Sequence, residues 1–560
     1  MDFYSELAER IAGKDISKQD LNRLKNVLCK KYSLKKIPTD AEIMLNMKDE
    51  DIGKVNLVTK PTRTKSGVAP IAVMTAPSKC PHGTCIYCPG GKGSIFGDVP
   101  QSYTGNEPST MRSMRHGFDP YLVVLNRLEQ YIILNQNPEK VEVIIQGGTF
   151  LAMPEEYKQP YVAYIFKALN DFSEQFYSPG FDYAKFKRFF ELPGNKDDMD
   201  RSARIEARMS GLKGKADLET EKKRNETAAI RCVGLTIETK PDWALLPQAE
   251  EMLSYGCTRV ELGVQATDDA ILKKLNRGHL MKETIQSTQI LKDLGFKINY
   301  HMMPGLPGSS KEKDLEMLKE TLENPLLRPD MYKIYPTLVM KGTPLYDMYK
   351  QGKYKPIETK DAAEVIAEFK RSVPRWIRIM RVQRDIPTNV TEAGVDKTNL
   401  RQYVEKICEE RKIKCQCIRC REAGLLSLKE KSSNSEIEIF IEQYAASHGE
   451  EFFISFESKD RALLYGYCRL RFPGKSLQSE ITPDSAIVRE LHVIGTAVGI
   501  GEQGQVQHKG LGKSLLAKAE DIAKVNGKKK MVVISGVGVR EYYKRLGYRL
   551  EGPYMVKSIM

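Results

Sequence analysis

The sequence predicts an α/β protein whose largest part is a parallel (β/α) barrel, complete or partial, followed by a smaller mixed α/β domain. From about residue 67, short apolar strand segments alternate with helical segments, an order typical of parallel sheets that curl into barrels. From about residue 435 the strands have alternating polar and apolar faces, and a glycine-rich turn precedes a helix. At 560 residues the chain has room for three or four domains.

The composition favours an intracellular protein with a polyanionic partner. The net charge of +14 makes nucleic acid the first candidate. The chain has 11 cysteines, but it is long, and its start, Met-Asp-Phe-Tyr-Ser-Glu, does not resemble an apolar signal segment. No apolar run approaches the length of a membrane span. We therefore expect a soluble cytoplasmic protein with reduced thiols and no membrane partner.

Residues 1–66 are predicted to form a small basic helical module, because apolar residues recur at helical spacing between Leu21 and Leu28. A solvated helix face explains the basic residues about as well as a phosphate-contacting face does. The overall charge favours nucleic-acid binding. The basic residues are Lys25, Lys30, Lys31, Lys35, Lys36, Lys54, Lys60, Arg63 and Lys65.

Residues 67–390 carry the predicted barrel. Its strands cover residues 68–74, 141–145, 232–238, 259–265, 296–300 and 331–335. Helices are predicted over residues 154–172, 246–255, 268–275 and 282–294, and a polar, basic excursion covers residues 181–231. Function in such folds lies at the carboxyl ends of the strands. That rule places a cysteine-rich loop at the same mouth as Gly147, Gly148, Glu238, Gln265, His301 and Tyr335.

The cysteine-rich loop holds Cys80, Cys85 and Cys88 within nine residues. Three thiolates are one ligand too few for a closed tetrahedral zinc site or for all four irons of a 4Fe-4S cluster. We interpret the loop as a cluster site whose open iron binds a small molecule such as S-adenosylmethionine (SAM). The alternatives are a zinc knuckle completed by His82 or a distant residue, and inert buried cysteines.

Residues 391–434 are predicted to form a small connecting unit that needs a metal. Its cysteines have a spacing that fits structural zinc. A regulatory thiol cluster and plain surface cysteines are the alternatives. The candidate ligands are Cys408, Cys415, Cys417 and Cys420.

Residues 435–560 form the predicted second domain. Strands over residues 463–471 and 486–493 precede Gly510-Leu511-Gly512, which opens a helix that ends near Val525. The glycines allow a ligand to approach the backbone, and the helix N-terminus adds partial positive charge, so this turn is a candidate pyrophosphate site. A further strand over residues 531–536 and the pair Tyr542-Tyr543 follow.

These motifs resemble two superfamilies. The cysteine loop with its later Gly-Gly resembles radical SAM enzymes, although its first gap is four residues instead of the usual three. The run Gln507-x-x-Gly510-x-Gly512 resembles the acetyl-CoA site of GNAT folds. The chain is similar throughout to one family that joins both, the catalytic subunits of Elongator, which are tRNA carboxymethyluridine synthases. The short form with its cysteine-rich linker resembles the archaeal branch.

The resemblance implies the roles of individual residues. Cys80, Cys85 and Cys88 would hold a 4Fe-4S cluster, Gly147 and Gly148 would contact SAM, and Gln265 at the same mouth is added as a cofactor contact. Lys140 and Tyr543 are taken as catalytic residues as well as acetyl-CoA contacts, and Tyr542 is an equal candidate from spacing alone. The remaining acetyl-CoA contacts would be Glu490, Leu491, His492, Val493, Leu511, Gly512 and Lys513.

The implied reaction uses a SAM-derived radical and acetyl-CoA to place a carboxymethyl group on C5 of the wobble uridine in tRNA. An anticodon loop suits such chemistry because its bases unstack at low cost. The protein would act alone or as a homodimer, and partners from a larger complex are not inferred. The residues nominated to contact RNA, besides the N-terminal basic residues, are Arg112, Arg115, Arg204, Arg208, Lys222, Lys223 and Arg224.

Three other functions stay open from the residues alone. The first is a protein lysine acetyltransferase with a structural iron-sulfur cluster. The second is another radical RNA modifier, such as a methylthiotransferase, whose second cluster would use Cys415, Cys417 and Cys420. The third is a tRNA-binding scaffold without catalysis.

Overall fold

The computed structural model describes residues 2–14, 16–52, 55, 57, 67–136, 138–195, 197–426, 436–494 and 510–560. Lys54, Lys60, Arg63, Lys65 and Gln507, which the sequence suggested as contacts, lie outside these residues. Within the described chain, no helix is both long and apolar enough to cross a membrane.

The chain alternates helices and strands over most of its length. The strands are β1 (Ala69–Met74), β2 (Gly91–Ser94), β3 (Gly97–Val99), β4 (Lys140–Gln146), β5 (Arg231–Thr239), β6 (Cys257–Gln265), β7 (Lys297–Met302), β8 (Met331–Ile334), β9 (Arg378–Arg381), β10 (Ile437–Ala446), β11 (Gly449–Ser458), β12 (Leu464–Phe472), β13 (Ser485–Val493), β14 (Lys530–Val533), β15 (Arg549–Glu551) and β16 (Tyr554–Ser558).

The helices are α1 (Phe3–Ile11), α2 (Lys18–Lys31), α3 (Asp40–Asn46), α4 (Asp49–Ile52), α5 (Pro108–Arg115), α6 (Pro120–Ile133), α7 (Glu155–Phe176), α8 (Tyr183–Phe189), α9 (Met199–Lys213), α10 (Leu218–Asn225), α11 (Leu246–Ser254), α12 (Asp269–Lys274), α13 (Met281–Asp293), α14 (Lys311–Glu323), α15 (Pro344–Lys350), α16 (Thr359–Ser372), α17 (Leu400–Glu410), α18 (Ile418–Arg421), α19 (Ala423–Leu426), α20 (Leu511–Val525) and α21 (Arg540–Lys544).

The first helices form the predicted N-terminal module. Side chains of Asp2, Ser17 and Thr39 accept hydrogen bonds from backbone N–H groups and so cap α1, α2 and α3. Apolar faces of these helices meet in a small separate core. Lys25, nominated as part of a basic surface, is instead buried with its ammonium on Asp40. It is therefore part of the module's interior rather than of a phosphate-contacting face.

The central sheet is a parallel half-barrel, which confirms the predicted class. Its order is β1-β4-β5-β6-β7-β8-β9, and every neighbouring pair is parallel. In β4, Val141, Val143 and Ile145 are buried, whereas the intervening residues are less so. This alternation presents two faces, as the strand geometry requires. The structure also shows β9, which was not predicted, and three helices (α8–α10) within the basic excursion.

The second sheet is mixed, with order β10-β11-β12-β13-β14-β16-β15. Only β13 and β14 pair in parallel in it, from Ser485–Lys530 to Val488–Val533. Beyond Val488, β13 continues to Val493 beside β12 alone. The two parallel strands therefore separate, and an opening forms between them that faces the N-terminus of α20.

The second sheet packs against the amino ends of the barrel strands. Asp330, just before β8, accepts a hydrogen bond of 2.8 Å from Arg489 of β13, and both side chains are fully buried. Asp293, at the end of α13, is paired with Arg471 of β12 in the same way. Apolar residues of both sheets belong to one continuous core. The barrel thus has its cysteine loop at one end and the second sheet at the other.

Candidate active site between two cavities

The cysteine loop follows β1 at the carboxyl end of the barrel. Cys85 and Cys88 are buried and Cys80 is half-buried, and all three line a cavity of about 890 Å³ that occupies the barrel. Among the described residues, the groups whose ligand atoms lie within 4.8 Å of one another do not include these three cysteines. Ligands of one zinc ion, bound at about 2.3 Å, would lie within about 4.6 Å of each other. At least two of the three sulfurs are therefore too far apart for one zinc ion to bind all three, which argues against the zinc alternative.

Hydrogen-bond donors surround the cysteine sulfurs. The backbone N–H of Ser102 lies 3.1 Å from Cys88 Sγ, and Arg277 Nη1 lies 3.8 Å from Cys85 Sγ. Such donors stabilise the thiolates that ligate iron-sulfur clusters. Without a metal, burial raises the pKa of the Cys88 thiol to about 11. The donor set therefore fits a cationic cluster, which would keep these sulfurs ionised.

His82 lies beside the sulfur of Cys85. Its Nδ1 lies 2.9 Å from Lys240 Nζ, and its Nε2 lies 3.2 Å from Cys85 Sγ. Because an ammonium only donates, Nδ1 accepts and Nε2 carries the proton that points to Cys85. Burial and the nearby cations lower the pKa of His82 to about 3, so the ring is neutral. His82 thus donates a hydrogen bond to the Cys85 sulfur, which argues against a role for His82 as a zinc ligand.

The turn after β4 lies directly against the cysteine loop. Gly147 and Gly148 have φ of +115° and +72°, in the left-handed region that favours glycine. A Cβ on Gly147 would meet Thr75 Oγ1 at 2.4 Å, and one on Gly148 would lie 3.9 Å from Cys80 Sγ. The glycines therefore allow this turn to approach the cysteine loop closely, as expected for a SAM contact.

Gln265, the other expected cofactor contact, ends β6 beside the same cavity. Its backbone has φ of +73°, which a residue with a side chain rarely adopts. Its Oε1 is buried and has no hydrogen-bond partner among the described residues. A strained backbone with an orphaned polar atom is the arrangement that a bound ligand would explain.

The inner face of the barrel carries a group of charged residues between its two ends. Glu238 and His301 were expected at the mouth, whereas Glu261 and Lys333 were not identified from sequence. Lys333 is ion-paired with Glu238 and Glu261, and His301 Nε2 lies 2.8 Å from Glu261 Oε2. Arg259 and Glu261, which are two residues apart and so share one face of the strand predicted over residues 259–265, were the signal that could have predicted part of this face.

A second cavity of about 520 Å³ lies in the opening between β13 and β14. Its lining includes Lys140 at the start of β4, whose pKa burial lowers. Burial alone would raise the pKa of Glu490, but Lys297 and Arg469 hold it at about 2. The predicted acetyl-CoA contacts that line this cavity are Lys140, Glu490, Leu491, His492, Val493, Leu511, Gly512, Lys513 and Tyr543.

The backbone at the N-terminus of α20 is shaped so that a ligand in the second cavity can approach it closely. Gly510 precedes α20 with φ of +82° and has no side chain that could cap the helix. A Cβ on Gly512 would lie 3.2 Å from Tyr542 Oη. Tyr542 and Tyr543 both line the cavity, but Tyr543 is buried in the domain core. Spacing could not separate the two tyrosines, and the structure brings both to this cavity, with the Tyr542 hydroxyl beside Gly512.

The two cavities adjoin inside the barrel. Five residues line both of them, namely Val68, Glu142, Arg259, Arg378 and Met380. Glu142 of β4 and Arg259 of β6 are ion-paired at 2.6 Å across the intervening β5, on this shared wall. The second cavity therefore lies directly against the cavity inside the barrel, which the cysteine loop also lines.

The linker brings three of its four predicted cysteines together. The Sγ atoms of Cys415, Cys417 and Cys420 lie within 4.8 Å of one another, close enough for one metal ion. Cys408 on α17 is not in that group. Lys370 lies 3.7 Å from Cys420 Sγ and adds a positive charge beside the sulfurs.

The residues nominated for RNA contacts differ in accessibility. Arg112 and Lys222 are buried. Arg204 and Arg208 both pair with Glu191, and Arg224 pairs with three carboxylates. Arg115 and Lys223 are exposed, as are Lys30, Lys31, Lys35 and Lys36 of the N-terminal module.

The fold and the site define a class. A parallel half-barrel with a three-cysteine loop at its carboxyl end, joined to a splayed mixed sheet, is the architecture of a radical SAM enzyme with a GNAT-like domain. Family models match accordingly: the Radical SAM superfamily over residues 206–321, the Radical_SAM C-terminal domain over residues 329–410 and the ELP3 N-terminal domain over residues 1–65.

Full-length relatives identify the family. The chain is 44% identical to the tRNA uridine(34) acetyltransferase of Methanocaldococcus jannaschii over 93% of this chain and 90% of that protein. It is 38% identical to human Elongator complex protein 3 over 98% of this chain and 94% of that protein. The structure of archaeal Methanocaldococcus infernus Elp3, lacking residues 1–46, matches with a TM-score of 0.71 at 38% identity and covers 88% of this chain and 100% of that one. The chain belongs to the family of Elongator complex protein 3 and the tRNA uridine(34) acetyltransferases.

Proposed function

We propose that this protein is a tRNA carboxymethyluridine synthase, which joins the acetyl carbon of acetyl-CoA to C5 of the wobble uridine. The observation that carries the proposal is the adjoining pair of cavities, one lined by the cysteine loop and one by the N-terminus of α20. A protein acetyltransferase would need only the second cavity. Two relatives are named tRNA uridine(34) acetyltransferase, which supports the wobble uridine of tRNA as the substrate.

Each end of the barrel has a separate binding task. Cys80, Cys85 and Cys88 would hold a 4Fe-4S cluster, and Gly147, Gly148 and Gln265 would contact SAM. When bound, the cluster and SAM supply a 5′-deoxyadenosyl radical that can remove a hydrogen atom from the acetyl methyl group. The protein's task is to hold that methyl group in the barrel, to exclude water from it and to bring uridine C5 to the same place.

The second cavity would hold acetyl-CoA. The N–H groups at the start of α20 after Gly510 suit the pyrophosphate, because a helix N-terminus attracts anions. Lys140 would lie on the wall that faces the barrel, with Glu490–Val493 along the part of β13 that extends beyond its pairing with β14. The thioester end would then point past Arg259 and Arg378 into the barrel interior.

The tRNA would bind by its anticodon stem-loop, with its target base unstacked into the barrel. Exposed cations, among them Arg115, Lys223, Lys35 and Lys36, are the candidate phosphate contacts. The chain's net charge of +14 supports a polyanionic substrate.

The linker would hold a structural zinc ion. Cys415, Cys417 and Cys420 supply three ligands, with Lys370 balancing their charge. We divide the chain accordingly into an N-terminal RNA-binding module (1–66), a radical SAM domain (67–390), a zinc linker (391–434) and an acetyl-CoA-binding domain (435–560). Metal analysis tests the linker assignment: about four irons and one zinc per chain support it, whereas about eight irons would indicate a second cluster.

A product assay tests the function. The full chain is reconstituted with iron and sulfide without oxygen, supplied with dithionite, SAM, acetyl-CoA and tRNA, and the digested nucleosides are weighed. We expect 5-carboxymethyluridine from the wild type and none from Cys85→Ala. A wild-type enzyme that holds its cluster and cleaves SAM but leaves the tRNA unmodified would refute the proposal.

A further inference from the structure

Three charged side chains form a linked group in the middle of the barrel. His301 of β7 and Lys333 of β8 are direct neighbours in the strand register, and Glu261 of β6 contacts both. Glu261 is fully buried, and Lys333 is nearly so. His301, Glu261 and Lys333 all line the cavity that also holds the cysteine loop. The group therefore faces the space in which the acetyl thioester and the uridine must meet.

The carboxylate and the ammonium in this group are both ionised. Burial alone would lower the pKa of Lys333, but the facing carboxylates of Glu261 and Glu238 raise it. Burial opposes ionisation of Glu261, yet Lys333 and His301 hold its pKa well below the usual range. Among the described residues, the Lys333 ammonium donates two N–H groups, to Glu238 and to Glu261, which leaves the third for a ligand.

The same carboxylates could be read as a metal site, because Glu238, Glu261 and His301 have ligand atoms within 4.8 Å of one another. Lys333 argues against a metal there. Its ammonium already contacts both carboxylates and supplies the positive charge that a metal ion would bring. The group is therefore better described as a carboxylate–histidine pair beside a fixed cation.

His301 has a defined tautomer in this setting. Its Nε2 lies 2.8 Å from the ionised Glu261 carboxylate, so Nε2 donates and Nδ1 is left as a proton acceptor. A carboxylate that holds one ring nitrogen so that the other can take a proton is the arrangement used by hydrolytic triads. Tyr335 packs edge-on against the ring at 5.4 Å between ring centroids and fixes its plane.

We propose that His301 is the general base that hydrolyses the thioester after the new carbon–carbon bond has formed, with Glu261 as its positioning residue and Lys333 as the oxyanion donor. The inference rests on the proposed function, in which the uridine first carries a –CH₂–CO–S–CoA group. Water attacks the thioester carbon while His301 Nδ1 takes a proton from it, and the carbonyl oxygen becomes an oxyanion that accepts a hydrogen bond from Lys333. The oxyanion collapses, the carbon–sulfur bond breaks, and the departing sulfur takes the proton from His301, leaving a carboxylic acid that ionises.

The test uses the reconstituted full-length enzyme with SAM, acetyl-CoA, reductant and tRNA, quenched with neutral hydroxylamine. Hydroxylamine converts a thioester into a hydroxamate, whereas a finished carboxylate does not react. The hydroxamate fraction of all modified uridine is independent of how much enzyme is folded. We expect almost pure carboxylate from the wild type and from His448→Gln, a control at an exposed turn histidine. Since a general base contributes about 100-fold or more, His301→Gln should yield mainly the hydroxamate.

Glu261→Gln is the second variant, because it keeps the size of the buried side chain while weakening the hold on His301. It too should shift the product toward the hydroxamate. The proposal is overturned if both variants release only the carboxylate, or if both form no modified uridine at all. A wild-type enzyme that forms neither product would instead refute the proposed function itself.

Discussion

At the scale of single residues, the surroundings of the cysteine loop suit the cluster site proposed for it. Cys85 receives hydrogen bonds from His82 and Arg277, and Cys88 receives one from the Ser102 backbone. In the proposed site these donors would offset the negative charge of the thiolates without occupying the open coordination position. Three ligands would then suffice to hold the cluster and would leave room for SAM.

Loss of one cluster ligand should remove iron without unfolding the protein. After reconstitution, the wild type should hold about four irons per chain, whereas the iron content of Cys85→Ala should be near zero. The matched control is Cys29→Ala, since Cys29 is also buried but lies in the N-terminal module. Iron content and the visible absorbance of the cluster measure the result. Full iron in Cys85→Ala would contradict the ligand assignment.

The Gly147 turn should not tolerate a side chain. Gly147→Ala places a Cβ 2.4 Å from Thr75 Oγ1 at a φ of +115°, so we expect a loss of about 1–3 kcal/mol in stability and a weaker affinity for SAM. Gly211→Ala on α9 is the control, because its Cβ meets nothing within 4 Å and should be neutral or stabilising. Thermal melting and calorimetric titration with SAM measure both effects. Equal behaviour of the two variants would contradict this account of the turn.

At the scale of strands and helices, the sequence predicted most of the barrel and placed Glu238 and His301 at its mouth, but it did not identify Glu261 and Lys333. The apolar runs around Val141–Ile145 and Val260–Val264 identify strands, because strands of a parallel sheet are buried and are therefore rich in apolar residues. Glu261 and Lys333 lie within such runs, and their partners come from other strands. Sequence spacing gives the alternation of faces but not which distant residue lies opposite. For the same reason, spacing could not distinguish Tyr542 from Tyr543, whose environments depend on α20.

The contact between the two sheets depends on buried ion pairs. Asp330→Asn would remove the closer of two carboxylates from the fully buried Arg489, whose Nε also lies 3.5 Å from Glu451. Removing one partner of such a pair costs about 3–5 kcal/mol, so the free energy of unfolding measured from the first denaturant transition should fall by that amount. The control is Asp484→Asn, which breaks an exposed pair with Lys529 and should cost less than about 1 kcal/mol. Equal shifts would show that the buried pair does not stabilise the interface.

At the scale of the whole molecule, the second sheet closes the amino end of the barrel and brings its cavity against the barrel interior. The cavities of the two halves therefore adjoin, as the proposed reaction requires. The sequence predicted both halves and their order. It did not predict how they face each other, because that arrangement arises from pairs such as Arg489 with Asp330, which are 159 residues apart.

Binding of tRNA should depend steeply on salt. With a net charge of +14 and several exposed cations, we expect affinity to fall by about tenfold or more between 50 and 200 mM salt. A filter-binding or anisotropy titration measures the slope. Lys35→Gln together with Lys36→Gln should reduce that slope, whereas Glu50→Gln, also exposed in the module, should not. An affinity that does not change with salt would contradict electrostatic binding.

The central claim is that the acetyl methyl group loses a hydrogen atom inside the barrel before it joins the uridine. Acetyl-CoA with three deuterium atoms on its methyl group tests this directly in the reconstituted full-length enzyme with SAM, reductant and tRNA. The account predicts one deuterium in the 5′-deoxyadenosine released and two in the carboxymethyl group of the uridine. Unlabelled 5′-deoxyadenosine accompanying a modified uridine, or transfer of an intact acetyl group with all three deuterium atoms to any acceptor, would contradict it.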